Sequence, residues 1–362
     1  MTPAHAPLDG ARMRRALLLA RRGWGQTAPN PMVGAVVVRD GKVIAEGWHA
    51  RFGAPHAEAM ALAIAGEGAR GADVYVTLEP CNHFGKTPPC ADALIAAGVR
   101  RVIIAVRDPN PEAGGGIAKL QAAGIAVETG VEAAAAAELN APFLFTHTRH
   151  DRPFVTLKLA LSADGALAPA DRSQFWLTGD KARSLVHRLR AGADAVMVGI
   201  GTAVADDPAL TVRYGKRPRI APRRVVLDRT ARLPLTGQLA HTARKIPVEV
   251  LATAPGTHRT DALERAGVRV IDAPSLDAHL QGLRERGVRH LFVEGGAAVA
   301  ESLLGGGFVD RLIIFRAPTL LGAGALTPGT AVPPAEGSDT WSVVERRMVG
   351  EDQLTLYRST SR

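Results

Sequence analysis

In PHAEAMALAIAG, Pro55 to Gly66, a histidine and a glutamate open a pattern that is otherwise an apolar helix. A helix needs neither residue there. The chain has only two cysteines, Cys81 and Cys90, lying 25 and 34 residues after His56. One imidazole and two thiolates suit zinc, and three protein ligands leave the fourth tetrahedral position for water. A closed structural site would want a fourth ligand. Zinc lowers the pKa of a bound water toward neutrality. Glu58 is then the proton shuttle, serving the water, the substrate nitrogen and the leaving ammonia in turn. Side chains two residues apart in a regular helix point about 200° apart. His56 must therefore sit at an irregular helix start, and Pro55 before it fits that placement. Both cysteines follow proline, and Cys90 is expected to open a helix, where amide dipoles favour a thiolate.

The surrounding pattern alternates strands with helices. VGAVVVRDGKVIAEGWH is two β-branched runs around Asp40-Gly41, a hairpin signal. Residues 9–22 and 56–65 read as helices, with Asp9 as the expected cap of the first. DVYVTLEP, VRRVIIAV and GIAVETG read as strands, and CADALIAAG, 117–123 and VEAAAAAELN as helices. This alternation implies an α/β sandwich with a mixed sheet. APFLFTHTRHDRP, residues 141–153, reads as a loop, with His147 and His150 exposed and a domain boundary near residue 147. The expected domains are residues 1–146 and 147–362. The second half repeats the α/β logic without repeating the sequence. PFVTLKLALSADG, DAVMVGIGT, RRVVLD, PVEVLAT, VRVIDA, HLFVEGG and DRLIIFRAP read as strands, followed by a terminal pair around Gly350. Residues 180–190 and 297–304 read as helices. Gly295-Gly296 before the latter would let a phosphate approach the backbone at a helix start. The six-residue dinucleotide fingerprint is absent, so no Rossmann fold is expected.

Composition narrows the function. The chain of 362 residues is 46% apolar and 22% charged, the balance of an ordinary globular protein, and its length suits two domains. No apolar run reaches the ~20 residues of a membrane span, and the N-terminal ALLLA run is too short for a secretory signal. A cytoplasmic location is expected, and a disulfide scaffold is excluded by count. The net charge of +9 comes mostly from scattered arginines, not a basic stripe. No nucleic-acid or membrane partner is expected.

The usual zinc-deaminase signature is H-x-E followed by P-C-x-x-C. Here eight residues, NHFGKTPP, separate the cysteines. APNPMVGAVVV, GWHARFGAPHAE and VTLEPCNHFGKTPPC together resemble the deaminase half of the bifunctional riboflavin-biosynthesis deaminase/reductases, and the second half resembles their reductase. The resemblance implies a cytidine-deaminase-like three-layer α/β/α domain and a dihydrofolate-reductase-like α/β domain. It also implies zinc, NADPH, a phosphoribosylated pyrimidine substrate and a homo-oligomer. Carried onto this chain, the metal ligands are His56, Cys81 and Cys90, and the shuttle is Glu58. Pyrimidine and ribose-phosphate contacts are Asn30, His49, His83 and Lys86. Reductase substrate contacts are Ser173, Arg190, Leu210, Arg213 and Glu294, with Arg190 and Arg213 forming a fork for the phosphate. Cofactor contacts are Ala160, Trp176, Thr202, Asp206, Gly296, Ala297, Ala298, Val299, Ala300, Glu301 and Ser302. SQFW has one residue more than the family's usual SQW, so Phe175 and Trp176 compete for stacking on the cofactor. Arg229 stands where a serine is common. Lys158 and Asp164 lie in a matching segment without an assigned role. Outside these motifs, Asn30 would be an ordinary turn residue and the two arginines ordinary surface charges. A nucleoside or RNA deaminase carrying a C-terminal binding module is the alternative reading.

Overall fold

Asp40 and Gly41 both take positive φ, 49° and 77°, which a type I′ turn requires. They join β1 (Gly34–Arg39) to β2 (Lys42–Trp48) as an antiparallel hairpin. The computed structural model describes residues 7–85, 88–171, 176–329, 332 and 337–360. The chain divides into two compact units, Met1–Arg149 and His150–Arg362.

In the first unit, β3 (Asp73–Leu78), β4 (Arg101–Val106) and β5 (Ala126–Thr129) complete a five-stranded sheet of order β2-β1-β3-β4-β5. β1 pairs antiparallel with β2 and β3, and β3-β4-β5 run parallel, so the sheet is mixed. Apolar side chains alternate between its two faces. Val37, Val74, Val76 and Ile104 pack under α2 (Ala57–Ala65) and α3 (Cys90–Ala96) with α4 (Gly116–Ala122). Val36, Tyr75 and Ile103 pack under α1 (Pro7–Ala20) and α5 (Ala133–Leu139). The result is three layers, α/β/α.

Two local expectations need correction. Asp9 lies inside the first turn of α1, and its carboxylate is drawn to Arg101 at 3.1 Å and to the Tyr75 hydroxyl. The desolvated guanidinium competes better for it than a helix amide does. Residues 141–148 are helix α6 (Ala141–Thr148), not a loop. Pro142 suits its first turn, and burial of Phe145 and Thr146 outweighs the weak helix propensity of an aromatic-rich segment. His147 packs on the Phe143 ring, while His150 is exposed.

In the second unit, β6 (Phe154–Leu161), β7 (Ala195–Gly199), β8 (Arg223–Leu227), β9 (Val248–Ala252), β10 (Arg269–Asp272), β11 (His290–Glu294), β12 (Arg311–Arg316), β13 (Trp341–Val349) and β14 (Asp352–Ser359) form one sheet. Its order is β10-β9-β8-β7-β11-β6-β12-β14-β13, parallel as far as β12 and antiparallel beyond. After β6, the chain steps outward through β7, β8, β9 and β10, then reverses to place β11 between β7 and β6. Right-handed crossovers put helices of opposite stepping direction on opposite faces. Accordingly α7 (Asp180–Ala191), α8 (Ile200–Asp206), α9 (Gln238–His241) and α10 (Thr257–Ala266) share one core, and α11 (Leu276–Glu285) and α12 (Ala297–Gly305) the other. Among the described residues, no helix is long and apolar enough to cross a membrane.

Candidate active sites

His56 is the N-cap of α2, with extended backbone (φ −70°, ψ 162°), and Glu58 is the second helical residue. The extended residue breaks the 200° divergence, so both side chains reach one pocket of about 280 Å³. Gly47 makes this possible. A Cβ there would lie 2.2 Å from the Ala57 carbonyl oxygen, so only glycine lets the start of α2 sit on β2. Cys90 opens α3, and its amide donates to Cys81 Sγ at 3.3 Å. His56 Nδ1 lies 3.5 Å from Cys81 Sγ and 3.3 Å from Cys90 Sγ, and the three donor atoms lie within 4.8 Å of one another. With metal–ligand bonds of ~2.1 Å to nitrogen and ~2.3 Å to sulfur, tetrahedral zinc asks for N···S edges of about 3.6 Å. The triad fits.

The Cys81 thiol is pushed down to about 4, chiefly by the hydrogen bond from the Cys90 thiol, with further help from His56 and the Cys90 amide. The same contact and burial push Cys90 up. Glu58 is 3% exposed, and burial pushes its carboxyl up to about 7. A buried carboxyl poised there can take and return a proton. It is not among the three clustered donors.

His49 is buried, and its Nδ1 donates to the Pro55 carbonyl at 3.1 Å. That leaves Nε2 as acceptor for the Asn30 side-chain amide at 3.3 Å. Burial depresses His49, which keeps it neutral. Its ring meets His56 edge-on, with centroids 5.3 Å apart. Asn30, His49 and His83 all line the pocket, while Lys86 lies outside the described residues. The wall also includes Glu79, Asp108, Asn110 and Phe143, which the sequence reading does not single out. Asp108 and Asn110 read as turn residues in DPNP, and Phe143 as loop. Glu79 faces away from proton chemistry, because its carboxylate accepts from the amides of Gly115 and Ile117 at 3.1 Å and of Asp108 at 3.3 Å.

In the second unit Ala160, Thr202, Asp206, Glu294 and the run from Gly296 lie at or just after the carboxyl ends of β6, β7 and β11, beside the reversal of strand order, where open α/β sheets bind ligands. α8 and α12 both start there. A Cβ on Gly199 would lie 2.6 Å from Val299 Cγ2, and one on Gly296 would lie 3.4 Å from Thr202 Oγ1, so the two strand-to-helix turns touch. Lys158 on β6 pairs in register with Glu294 on β11. Burial pushes the Lys158 ammonium down. Burial works against the Glu294 carboxylate, but Arg190 outweighs it and holds the group below its usual range. Arg190 engages both Glu294 oxygens, Nη2 at 3.0 Å, and donates through Nη1 to the Thr211 carbonyl at 3.0 Å. Arg190 and Arg213, the expected phosphate fork, thus have different surroundings. A mostly buried guanidinium takes the nearby carboxylate, and Arg213 stands exposed.

The same placement narrows the cofactor run. Val299 and Ala300 are core residues, so only their backbone can meet a ligand, and Ser302 Oγ donates to the Ala298 carbonyl within the helix. Gly296, Ala297 and Ala298 form the accessible first turn, with Glu301 exposed beyond it. Leu210 is also buried, at an unusual φ of +51°, and offers only backbone. Ala160 and Thr202 are partly exposed, and Asp206 is exposed. Trp176 is 68% exposed, with the Arg183 guanidinium 5.2 Å from its ring centroid. Ser173 and Phe175 lie outside the described residues. Asp164, unassigned from sequence, accepts from the amides of Leu321 at 3.1 Å and Gly322 at 2.8 Å, and so fastens two loops together.

Residues 8–106 match the cytidine and deoxycytidylate deaminase zinc-binding region, and residues 153–350 match the RibD C-terminal domain. The riboflavin biosynthesis protein RibD of Aquifex aeolicus is 41% identical over 354 residues, covering 97% of this chain and 98% of its own. The structure of RibD from Acinetobacter baumannii superposes with a TM-score of 0.81 at 38% identity, over 98% of this chain and 99% of that one. A Thermotoga maritima structure described as a diaminohydroxyphosphoribosylaminopyrimidine deaminase/5-amino-6-(5-phosphoribosylamino)uracil reductase gives a TM-score of 0.81 at 36% identity, over 98% and 100%. The chain belongs to the RibD family, bifunctional enzymes of riboflavin biosynthesis that join a zinc-dependent deaminase to an NADPH-dependent reductase.

Proposed function

We propose that the first unit hydrolytically deaminates the pyrimidinone ring of 2,5-diamino-6-(5-phosphoribosylamino)pyrimidin-4(3H)-one, and that the second delivers hydride to C1 of the ribose of the deaminated product. The observation that carries this is the convergence of His56, Cys81, Cys90 and Glu58 on one pocket whose wall includes the Asn30–His49 pair. His56 Nδ1 and the two Sγ atoms hold the zinc. When bound, zinc supplies the Lewis acidity that makes water a nucleophile near neutral pH. The Glu58 carboxylate takes one proton from the attacking water and passes it to the ring nitrogen, then takes the second from the hydroxyl left on the tetrahedral carbon and gives it to the amino group, which departs as ammonia as the carbonyl forms. Asn30, oriented by neutral His49, contacts the pyrimidine, while His83 and Lys86 serve the ribose phosphate.

In the reductase, the first turn of α12 from Gly296 to Ala298, with Thr202, Asp206, Ala160 and Trp176, receives NADPH, which supplies the hydride. The backbone of Leu210 and the side chains of Ser173, Arg213 and Glu294 receive substrate, and Arg190 holds Glu294 in place. We place the junction between activities after α6, because a boundary at residues 146 and 147 falls inside that helix. Homo-oligomer formation is supported by β13, an edge strand with exposed Val343, Val344 and Met348. Two thiols that must stay reduced to bind metal suit the cytoplasm.

The test is a coupled assay on the phosphoribosyl substrate. Ammonia release without NADPH, followed by NADPH oxidation in proportion to deaminated product, is expected. Ammonia release from free cytidine or RNA, with no NADPH oxidation on the phosphoribosyl substrate, would replace this reading with the nucleic-acid alternative.

A further inference from the structure

Asn140 lies between α5 and α6, outside both family-matched regions. It is 2% exposed. Its Oδ1 accepts from the Met32 amide at 2.9 Å, and its Nδ2 donates to the Met32 carbonyl at 2.9 Å. One side-chain amide thus satisfies both backbone groups of a residue 108 positions away, as a neighbouring strand would. Met32 stands two residues before β1, in the segment that carries Asn30. The contacts continue from there. The Asn30 amide meets His49 Nε2, His49 Nδ1 meets the Pro55 carbonyl, and Pro55 precedes the ligand His56. The His49 amide also donates to the Val33 carbonyl at 2.9 Å. The segment 30–33 is therefore gripped from one side by Asn140 and from the other by His49.

We propose that Asn140 is a positioning residue of the deaminase: it clamps Met32 so that the Asn30 amide stands at its distance from His49 and the substrate. This rests on Asn30 contacting the pyrimidine. Asn140 touches neither the metal ligands nor the shuttle, so its loss acts on substrate binding and spares zinc. Asn140→Asp is the sharper variant, because it keeps the acceptor for the Met32 amide but sets a carboxylate oxygen against the Met32 carbonyl.

The experiment compares Asn140→Ala, Asn140→Asp, Asn30→Ala and the double variants in the full chain. It reads deaminase KM and kcat, zinc per chain, and reductase turnover on deaminated substrate as an internal control. Both Asn140 variants are expected to raise deaminase KM roughly tenfold or more, with zinc and reductase turnover unchanged. In the Asn30→Ala background, they should add little further rise. Should Asn140→Ala fail to fold, Asn140→Asp decides. An unchanged KM in the Asn140 variants, or a rise fully additive with Asn30→Ala, overturns the proposal. If Asn30→Ala itself leaves KM unchanged, it is the Asn30 contact that fails.

Discussion

At the scale of single residues, the deaminase depends on the different fates of two neighbours. His56 is extended and brings Nδ1 within 3.5 Å of both cysteine sulfurs, while Glu58 is helical, buried and raised to about 7. Glu58→Gln keeps the size and the polarity but cannot carry a proton. It should retain about one zinc per chain by metal analysis, and ammonia release should fall about 100- to 10,000-fold. A variant with zinc and full turnover would remove Glu58 from the mechanism. The grouping of an imidazole and two thiols with a nearby carboxyl was legible in sequence because residue type marks it: few side chains bind zinc, and fewer move protons near neutrality. Arg190 shows the limit of that logic. Its charge was legible, but its partner was not, because Glu294 lies 104 residues away on β11 and meets it only where helix α7 packs on the sheet.

At the scale of elements, close backbone approach sets the site. Gly47→Ala would place its Cβ 2.2 Å from Ala57 O and 2.7 Å from Ala61 N. The atoms met are backbone, so α2 itself must move, at a cost of about 1–3 kcal/mol. Deaminase turnover should drop at least about tenfold, because misplacing His56 and Glu58 loses alignment, while NADPH oxidation on deaminated substrate holds. Equal loss of both activities would mean global unfolding instead. At the start of β11, His290 is buried, bonded to Thr156 Oγ1 at 2.9 Å and to the Gly192 carbonyl at 3.0 Å. Burial pushes it down to about 4. Its unfolded value is near 6.5, so the unfolded chain binds the extra proton first as pH falls. Stability from neutral His290 is complete above pH ~6.5 and is lost progressively as pH falls below it. His290→Gln should flatten that part of the stability–pH curve in denaturant unfolding of the second unit; an unaltered slope would refute it. The hairpin at Asp40-Gly41 was legible because its conformation is local. Helix α6 was not, because APFLFTHT is helical only by virtue of what Phe145 and Thr146 pack against.

At the scale of the whole molecule, two compact units carry two chemistries with different dependencies. A chelator that strips zinc should abolish ammonia release and leave NADPH oxidation on deaminated substrate intact, and re-added zinc should restore the first. Loss of both on chelation would show that the metal supports more than one active site. Residue order alone marks out the imidazole and two thiols that cluster, the carboxyl beside them, the α/β class of both halves and the glycine-marked turns, because these follow from side-chain chemistry, short-range periodicity and local backbone freedom. What those residues face emerges only when the chain folds. Folding spent Arg190 on Glu294, turned Leu210, Val299 and Ala300 into the core, and brought Asn140 across 108 residues to hold Met32. The reason is physical. Donor and acceptor types are properties of residues, but which pairs form is settled by desolvation and strand order, and both exist only once the sheets have assembled.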